Sequence, residues 1–296
     1  MWRNIMTYSE LYKKLSIFQK DISIIKSLIE VLKDKEDIVF KGQNMEFSEE
    51  SWIIFHRLWS LFKKTRETCD YTHMSKLGFI YLFQLLYSGI VLKEFVTIYG
   101  IFCPGYEGIS YKSRLGNTTL TKMENLKQLS IILSVHEIKH EIVCIYADVF
   151  LENEIKSDNI FNEFEFNKTL FFEKSSIFFN KTILLSDFLR DKNIHYNSFI
   201  DFDIINSLNK QDYKKFLDCN MQFYKSMGWS EERIKKRNDE LITLYVIVAE
   251  EIYKKKNSIY ATIENIEGRT SLFLNKKVPV LFISKKQTER RKEYAI

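Results

Sequence analysis

"EFVTIYGIF", residues 94–102, is short, rich in β-branched and aromatic side chains, and bounded by Cys103-Pro104-Gly105. It reads as a strand buried on both faces. "HEIVCIYADVF", residues 140–150, has the same character. Between them, from Thr121 to about His136, Met123, Leu126, Leu129, Ile132 and Leu133 recur at helical spacing. A chain that returns to begin a co-directional neighbouring strand needs a crossover of this kind, and the crossover is expected to be right-handed. The fold class that follows is α/β, Rossmann-like, with a mainly parallel sheet and flanking helices.

Upstream, Leu11, Leu15, Phe18, Ile22, Ile25, Ile29 and Leu32 form an amphipathic stripe over residues 8–33, and 48–66 and 73–88 repeat the pattern, with Gly89 as the expected stop. Residues 1–90 are therefore expected to be an all-helical extension and 91–296 the α/β catalytic domain. Downstream, 171–191 reads as one helix, "NSFIDFDII" (197–205) as a third strand, and 209–227 and 230–256 as helices, the second capped by Ser230. "VPVLFIS" (278–284) is the final strand, and a basic tail follows it.

A 296-residue chain that is 45% hydrophobic and 15% aromatic has material for a large core, and its net charge of +5 permits an anionic partner without demanding one. Cys69, Cys103, Cys144 and Cys219 show no CxxC spacing, which fits a reduced, cytoplasmic protein without structural zinc. No signal peptide, membrane span or cofactor fingerprint is read, and the sequence assigns no oligomeric state. His136 and His140 are four apart but do not complete HExxH, and they fall at the strand-entry end of the sheet. Glu152 and Glu154 have no partner at metal spacing, so no metal is expected.

Ligands of open parallel sheets bind beyond the carboxyl ends of the strands. That rule nominates Cys103–Asn117, Asp148–Glu154, Asp201 with Asp203, and Tyr260–Arg269. Residues 100–117 hold four of the nine glycines and one of the two prolines, as a loop that brings backbone close to a ligand would. It matches neither GxGxxG nor GxxxxGK[ST], so no dinucleotide or P-loop reading is made. Within it Ser110 is either a nucleophile or a hydroxyl bonding its own turn, and Cys103 is either a reactive thiol or a small buried residue. Tyr106, Lys112 and Arg114 are substrate-binding candidates. The Asp148 carboxylate either enters the cleft or caps a following turn. Tyr260 and Glu264, four apart, share a face in helix or strand and could handle an amine or a proton, with Glu267 and Arg269 beside them.

"GIS" at 108–110, "CIYAD" at 144–148, "YATIE" at 260–264 and "VPVLFI" at 278–283 occur in an order that resembles the cyclodipeptide synthases, whose domain is similar to the catalytic domain of class I tyrosyl- and tryptophanyl-tRNA synthetases. The resemblance spans residues 94–284. It implies an aminoacyl transferase that takes amino acids from charged tRNA, with Ser110 holding the first aminoacyl group and Tyr260 and Glu264 engaging its amino group. "KSRLGN", Glu124 and "YADVF" also resemble the isonitrile synthases of pyoverdine and dityrosine-type pathways, which implies a free aromatic amino acid substrate and chemistry at Lys112 and Asp148. A third reading is a noncatalytic RNA- or protein-binding module. Lys235, Lys236, Arg237, Lys254, Lys255, Lys256, Lys285, Lys286, Arg290, Arg291 and Lys292 favour tRNA if they cover one surface around the Ser110 loop, and solvated faces if they scatter.

Overall fold

The computed structural model describes residues 4–7, 38–41, 44–47, 57, 60–61, 64–65, 68–69, 76–102, 117–148, 158–192, 194, 200–226, 228–263 and 278–283. Three short strands, β1 (Asn4–Thr7), β2 (Ile38–Lys41) and β3 (Asn44–Phe47), form an antiparallel sheet in the order β1-β3-β2. The first 90 residues are thus not all helical. The missed signal is Gly42-Gln43, a Gly-first pair between two short runs, which is the composition of a two-residue hairpin. The stripe expected over 8–33, and most of 48–66, lie outside the described residues.

The main unit runs α1 (Lys76–Ile90), β4 (Val96–Phe102), α2 (Asn117–Val135), β5 (His140–Tyr146), α3 (Asp158–Phe178), β6 (Lys181–Leu184), α4 (Leu185–Arg190), α5 (Phe202–Asn206), α6 (Lys210–Ser226), α7 (Glu231–Tyr253), β7 (Ser258–Ile263) and β8 (Val280–Ile283). The five strands β4 to β8 are all parallel, in the order β6-β5-β4-β7-β8. Counted from β4 this is 3-2-1-4-5, the order of a Rossmann-type doubly wound sheet. The strand–helix–strand unit read from 94–150 is its centre, with Val96 paired to His140 and Phe102 to Tyr146.

β4 is buried along its whole length because both of its faces are covered. Its even positions face α2 and α3: a Cβ on Gly100 would stand 3.0 Å from Leu126 Cδ1, and Phe102 packs on Phe171. Its odd positions face the other layer, where Tyr99 meets Phe188 of α4 edge-on. Helix α1 buries Leu82, Phe83, Leu85, Leu86 and Ile90 in the same core. Gly89 does not stop α1, which continues to Ile90. A Cβ there would lie 2.8 Å from Ile138 Cγ2, so this glycine permits close packing and is not a terminator.

Two further expectations are corrected. The single helix over 171–191 is interrupted: α3 ends at Phe178, Lys181–Leu184 pairs with β5 as an edge strand, and α4 follows at once. No Gly or Pro marks the break. Thr182 and Ile183 take the extended form because an open edge of β5 offers them hydrogen-bond partners, a tertiary cause invisible to local pattern. The proposed strand 197–205 contains helix α5 from Phe202, and Asp201 is its N-cap, accepting hydrogen bonds from the Asp203 and Ile204 amides at 2.9 and 3.0 Å. Residues 258–263, left open between helix and strand, are a strand between β4 and β8.

Candidate functional site

The direction of winding reverses between β4 and β7, and the ladder itself opens at that point. β4 pairs with β7 only as far as Gly100 with Ala261, whereas β4 stays paired to β5 through Phe102 and β7 to β8 through Ile263. The two central strands therefore part at their carboxyl ends, which is where a doubly wound sheet places its ligand crevice.

Polar and charged groups collect at this end. Lys122, Asp148, Arg237 and Asp239 are the charged side chains among the buried described residues, with exposures of 3%, 2%, 8% and 8%. Lys122 lies near the start of α2, which begins at the carboxyl end of β4, and Asp148 follows β5 by two residues. Asp239 stands about 21 Å from Tyr253 along α7 at about 1.5 Å per residue, close to the roughly 20 Å length of the strand beneath. Both helices that return from this edge bury polar side chains at the crevice end, Thr119, Thr121, Lys122 and Asn125 on α2 and Arg237, Asn238, Asp239 and Thr243 on α7, among apolar ones such as Met123 and Ile234. Toward the far end their buried side chains are apolar, Leu129, Ile132 and Leu133 on α2 and Val246, Val248, Ala249 and Ile252 on α7.

Lys122 Nζ donates to the Ile101 carbonyl at 2.5 Å and sits 4.5 Å from the centroid of the Phe102 ring. At Gly100 an added Cβ would crowd Leu126 Cδ1 at 3.0 Å and Phe102 Cε2 at 3.2 Å, with Lys122 Cε at an ordinary contact distance of 3.8 Å. Beside it, burial raises the Cys144 thiol far above its ordinary value, with the lysine charge pulling the other way, so Cys144 is an inert thiol. Asp148 accepts from the Ser186 amide at 2.9 Å and from its hydroxyl, which caps the first turn of α4 from across the sheet. On the opposite face of β4, Tyr99 and Tyr260 are in register and 7% and 3% exposed. Lys255 donates to the Tyr99 hydroxyl at 2.9 Å and lies over the Tyr99 and Phe188 rings. On α7, Asp239 accepts from the Tyr213 hydroxyl at 2.7 Å, and burial raises both its carboxyl and the phenol.

The structure places Tyr260 on β7 and Asp148 two residues past the end of β5, the strands on either side of β4. Ser110, Cys103, Tyr106, Lys112, Arg114, Glu264, Glu267 and Arg269 lie outside the described residues. The strands that lead into their two segments, β4 and β7, are immediate neighbours. Asp201 and Asp203, nominated for the crevice, belong to the start of α5, where Asp201 is occupied as a cap. His140 is not a ligand of anything described: Nδ1 meets the Ile138 carbonyl and Nε2 the Ser130 hydroxyl, each at 2.8 Å. Among the described residues no cluster of His, Cys, Asp and Glu has the makings of a metal site, and no helix is long and apolar enough to cross a membrane.

Lys122, Ser186 and Tyr99 were missed in the sequence, and Lys255 was read there only as one of the basic residues. Lys122 had a legible signal, because it stands four and seven residues before Leu126 and Leu129 on the apolar stripe of α2. Lys285, Lys286, Arg290, Arg291 and Lys292 lie outside the described residues, and the basic residues that are described do not form one surface. Exposed Lys235 and Lys236 begin α7 at the crevice end, Arg237 is buried and paired with Glu240 at 3.3 Å, and Lys254 and Lys256 at the other end pair with Glu251 and Glu94.

No protein-family model and no curated protein matches the chain. Among solved structures it is similar to tyrosyl-tRNA synthetase from Archaeoglobus fulgidus, complexed with L-tyrosine, at 13% identity and a TM-score of 0.46, over 78% of this chain and 63% of that one. It is also similar to a cyclodipeptide synthase (CDPS) from Staphylococcus haemolyticus, at 16% identity and a TM-score of 0.39, over 69% of this chain and 94% of that one. The chain thus spans less than two thirds of the synthetase. Of the two resemblances read in the sequence, the one to cyclodipeptide synthases and the synthetases they are similar to is the one represented here; the strand order carries the fold assignment.

Proposed function

We propose that the chain is an aminoacyl-transferring biosynthetic enzyme whose reaction takes place over the β4–β7 crevice. One observation supports the reading above others: β4 and β7 are neighbours, so the segments carrying Ser110 and Glu264 leave adjacent strands at the same edge of the sheet. In the first step the Ser110 hydroxyl attacks the ester carbonyl of an aminoacyl-tRNA. The bond to the ribose oxygen breaks, an ester to Oγ forms, and the hydroxyl proton leaves with the ribose. In the second, the amino group of another aminoacyl-tRNA attacks the Ser110 ester, forming a peptide bond and returning a proton to Oγ. The free amino group of the resulting dipeptidyl-tRNA then attacks its own ester carbonyl, the bond to the ribose oxygen breaks, that oxygen takes the amine proton, and a cyclodipeptide and the tRNA are released. Tyr260 and Glu264 hold and deprotonate the amino group, and Asp148 positions α4 at the crevice. Cys103, Tyr106, Lys112, Arg114, Glu267 and Arg269 bind substrate.

Incubation with a broad set of charged tRNAs, followed by mass spectrometry of small products, tests this. A product that requires the charged tRNA is expected. A product formed only from free tyrosine or tryptophan and a ribulose phosphate would instead support the isonitrile reading, and no product from either would reject both.

A further inference from the structure

The geometry points to Lys122 as the positioning residue that keeps the β4–β7 crevice open by occupying the carbonyl through which the two strands would otherwise continue to pair. Amides along β4 alternate in direction: that of Val96 goes to the Lys139 carbonyl on the β5 side and that of Thr97 to the Asn257 carbonyl on the β7 side. Odd positions of β4 therefore address β7. One more step of the ladder would give the Ile101 carbonyl to the Ile263 amide. The ladder instead stops at Gly100 with Ala261, and the Ile101 carbonyl receives the Lys122 ammonium at 2.5 Å. β7 itself does not end there, because Ile263 still pairs with Ile283 of β8.

Burying an ammonium at 3% exposure is costly, and a plain apolar contact would fill the same space between Leu126 and Phe102 more cheaply. What the ammonium adds is a charged donor that outcompetes a neutral amide for one carbonyl. Its place on α2, anchored by Met123 and Leu126 at 0% exposure, keeps that donor over the strand end. The separation lies at the carboxyl ends of β4 and β7, the strands after which Ser110 and Glu264 follow in sequence, so this inference rests on the proposed function for its catalytic consequence, though not for its structural one.

Amide hydrogen exchange resolved by residue tests it. In the wild-type protein the Ile263 amide is expected to exchange at least about tenfold faster than the Ile259 and Ala261 amides, which face the same edge. Equal protection of all three would overturn the proposal without any variant. In Lys122→Met, which keeps the stem and removes the donor, Ile263 protection is expected to rise by about tenfold as the ladder extends. In Lys122→Arg it is expected to stay at the wild-type level. Unchanged exchange in the methionine variant would overturn the proposal. Should that variant fail to show a cooperative melt, Lys122→Leu is read in its place by the same criterion. With the aminoacyl donor, Lys122→Met is expected to raise KM about tenfold with little change in kcat, and Lys122→Arg to restore it. An inactive wild-type enzyme would count against the proposed function, and the exchange comparison would still decide the role of Lys122.

Discussion

Both carboxylate oxygens of Asp148 are taken by Ser186, one by its amide and one by its hydroxyl, at the foot of α4. The residue was legible in the sequence as the polar end of an apolar strand. Its partner was not, because Ser186 falls within a run that reads as helix from end to end. Replacing Asp148 by alanine leaves two donors without an acceptor and is expected to cost about 2 kcal/mol in urea unfolding, with Asp148→Asn, which keeps one acceptor, costing less than half as much. His136 gives a pH-dependent case. Burial, with Arg57 and Lys64 adding like charge, holds its imidazole below the ordinary 6.5. The unfolded chain therefore takes up the proton first as pH falls, so the stability present above 6.5 is lost as pH drops through that value toward the lowered folded one. Urea midpoints measured at pH 7.5 and below 6 are expected to fall further for the wild type than for His136→Gln (about pH units on either side of the imidazole range).

Elements were read well where period and local signals agree. β4, β5, α2, α6, α7 and β8 lie within a few residues of their expected places, and Ser230 caps α7 as its sequence indicates, accepting from the Arg233 amide at 3.3 Å. Ser230→Ala is expected to cost about 1 kcal/mol in the same assay, and Ser230→Asp to preserve stability, since an acidic cap suits the positive end of the helix. Reading failed where the deciding partner is distant in sequence. β6 is extended because β5 has a free edge for it, and α5 replaces an expected strand because Asp201 caps two amides that a β-branched count ignores. That the buried polar groups of α2 and α7 gather at one end of the sheet could be found only once both helices were known to return from the same edge.

For the whole molecule, the parallel centre follows from the sequence of 94–150, but the strand order does not, because β7 was left undecided and it is the strand that completes the crevice. The site is legible to the extent that its candidates stand after strands. Adjacency of β4 and β7 had to come from the structure. Among the described residues, Lys235 and Lys236 are the exposed lysine pair at the crevice end of α7, placed to meet tRNA phosphates in the proposed reaction. Reversing both, Lys235→Glu with Lys236→Glu, is expected to raise KM for the charged tRNA and to flatten its salt dependence by about two charges, measured as the slope of log affinity against log salt.

Covalent capture of an aminoacyl group at the crevice is the central requirement of the proposed reaction. Intact-protein mass spectrometry after brief mixing with charged tRNA is expected to show one aminoacyl group added to the wild-type chain, mapped by digestion to Ser110, and none on Ser110→Ala. An adduct of undiminished yield on Ser110→Ala, or no adduct on the wild type under conditions that give product, would contradict it.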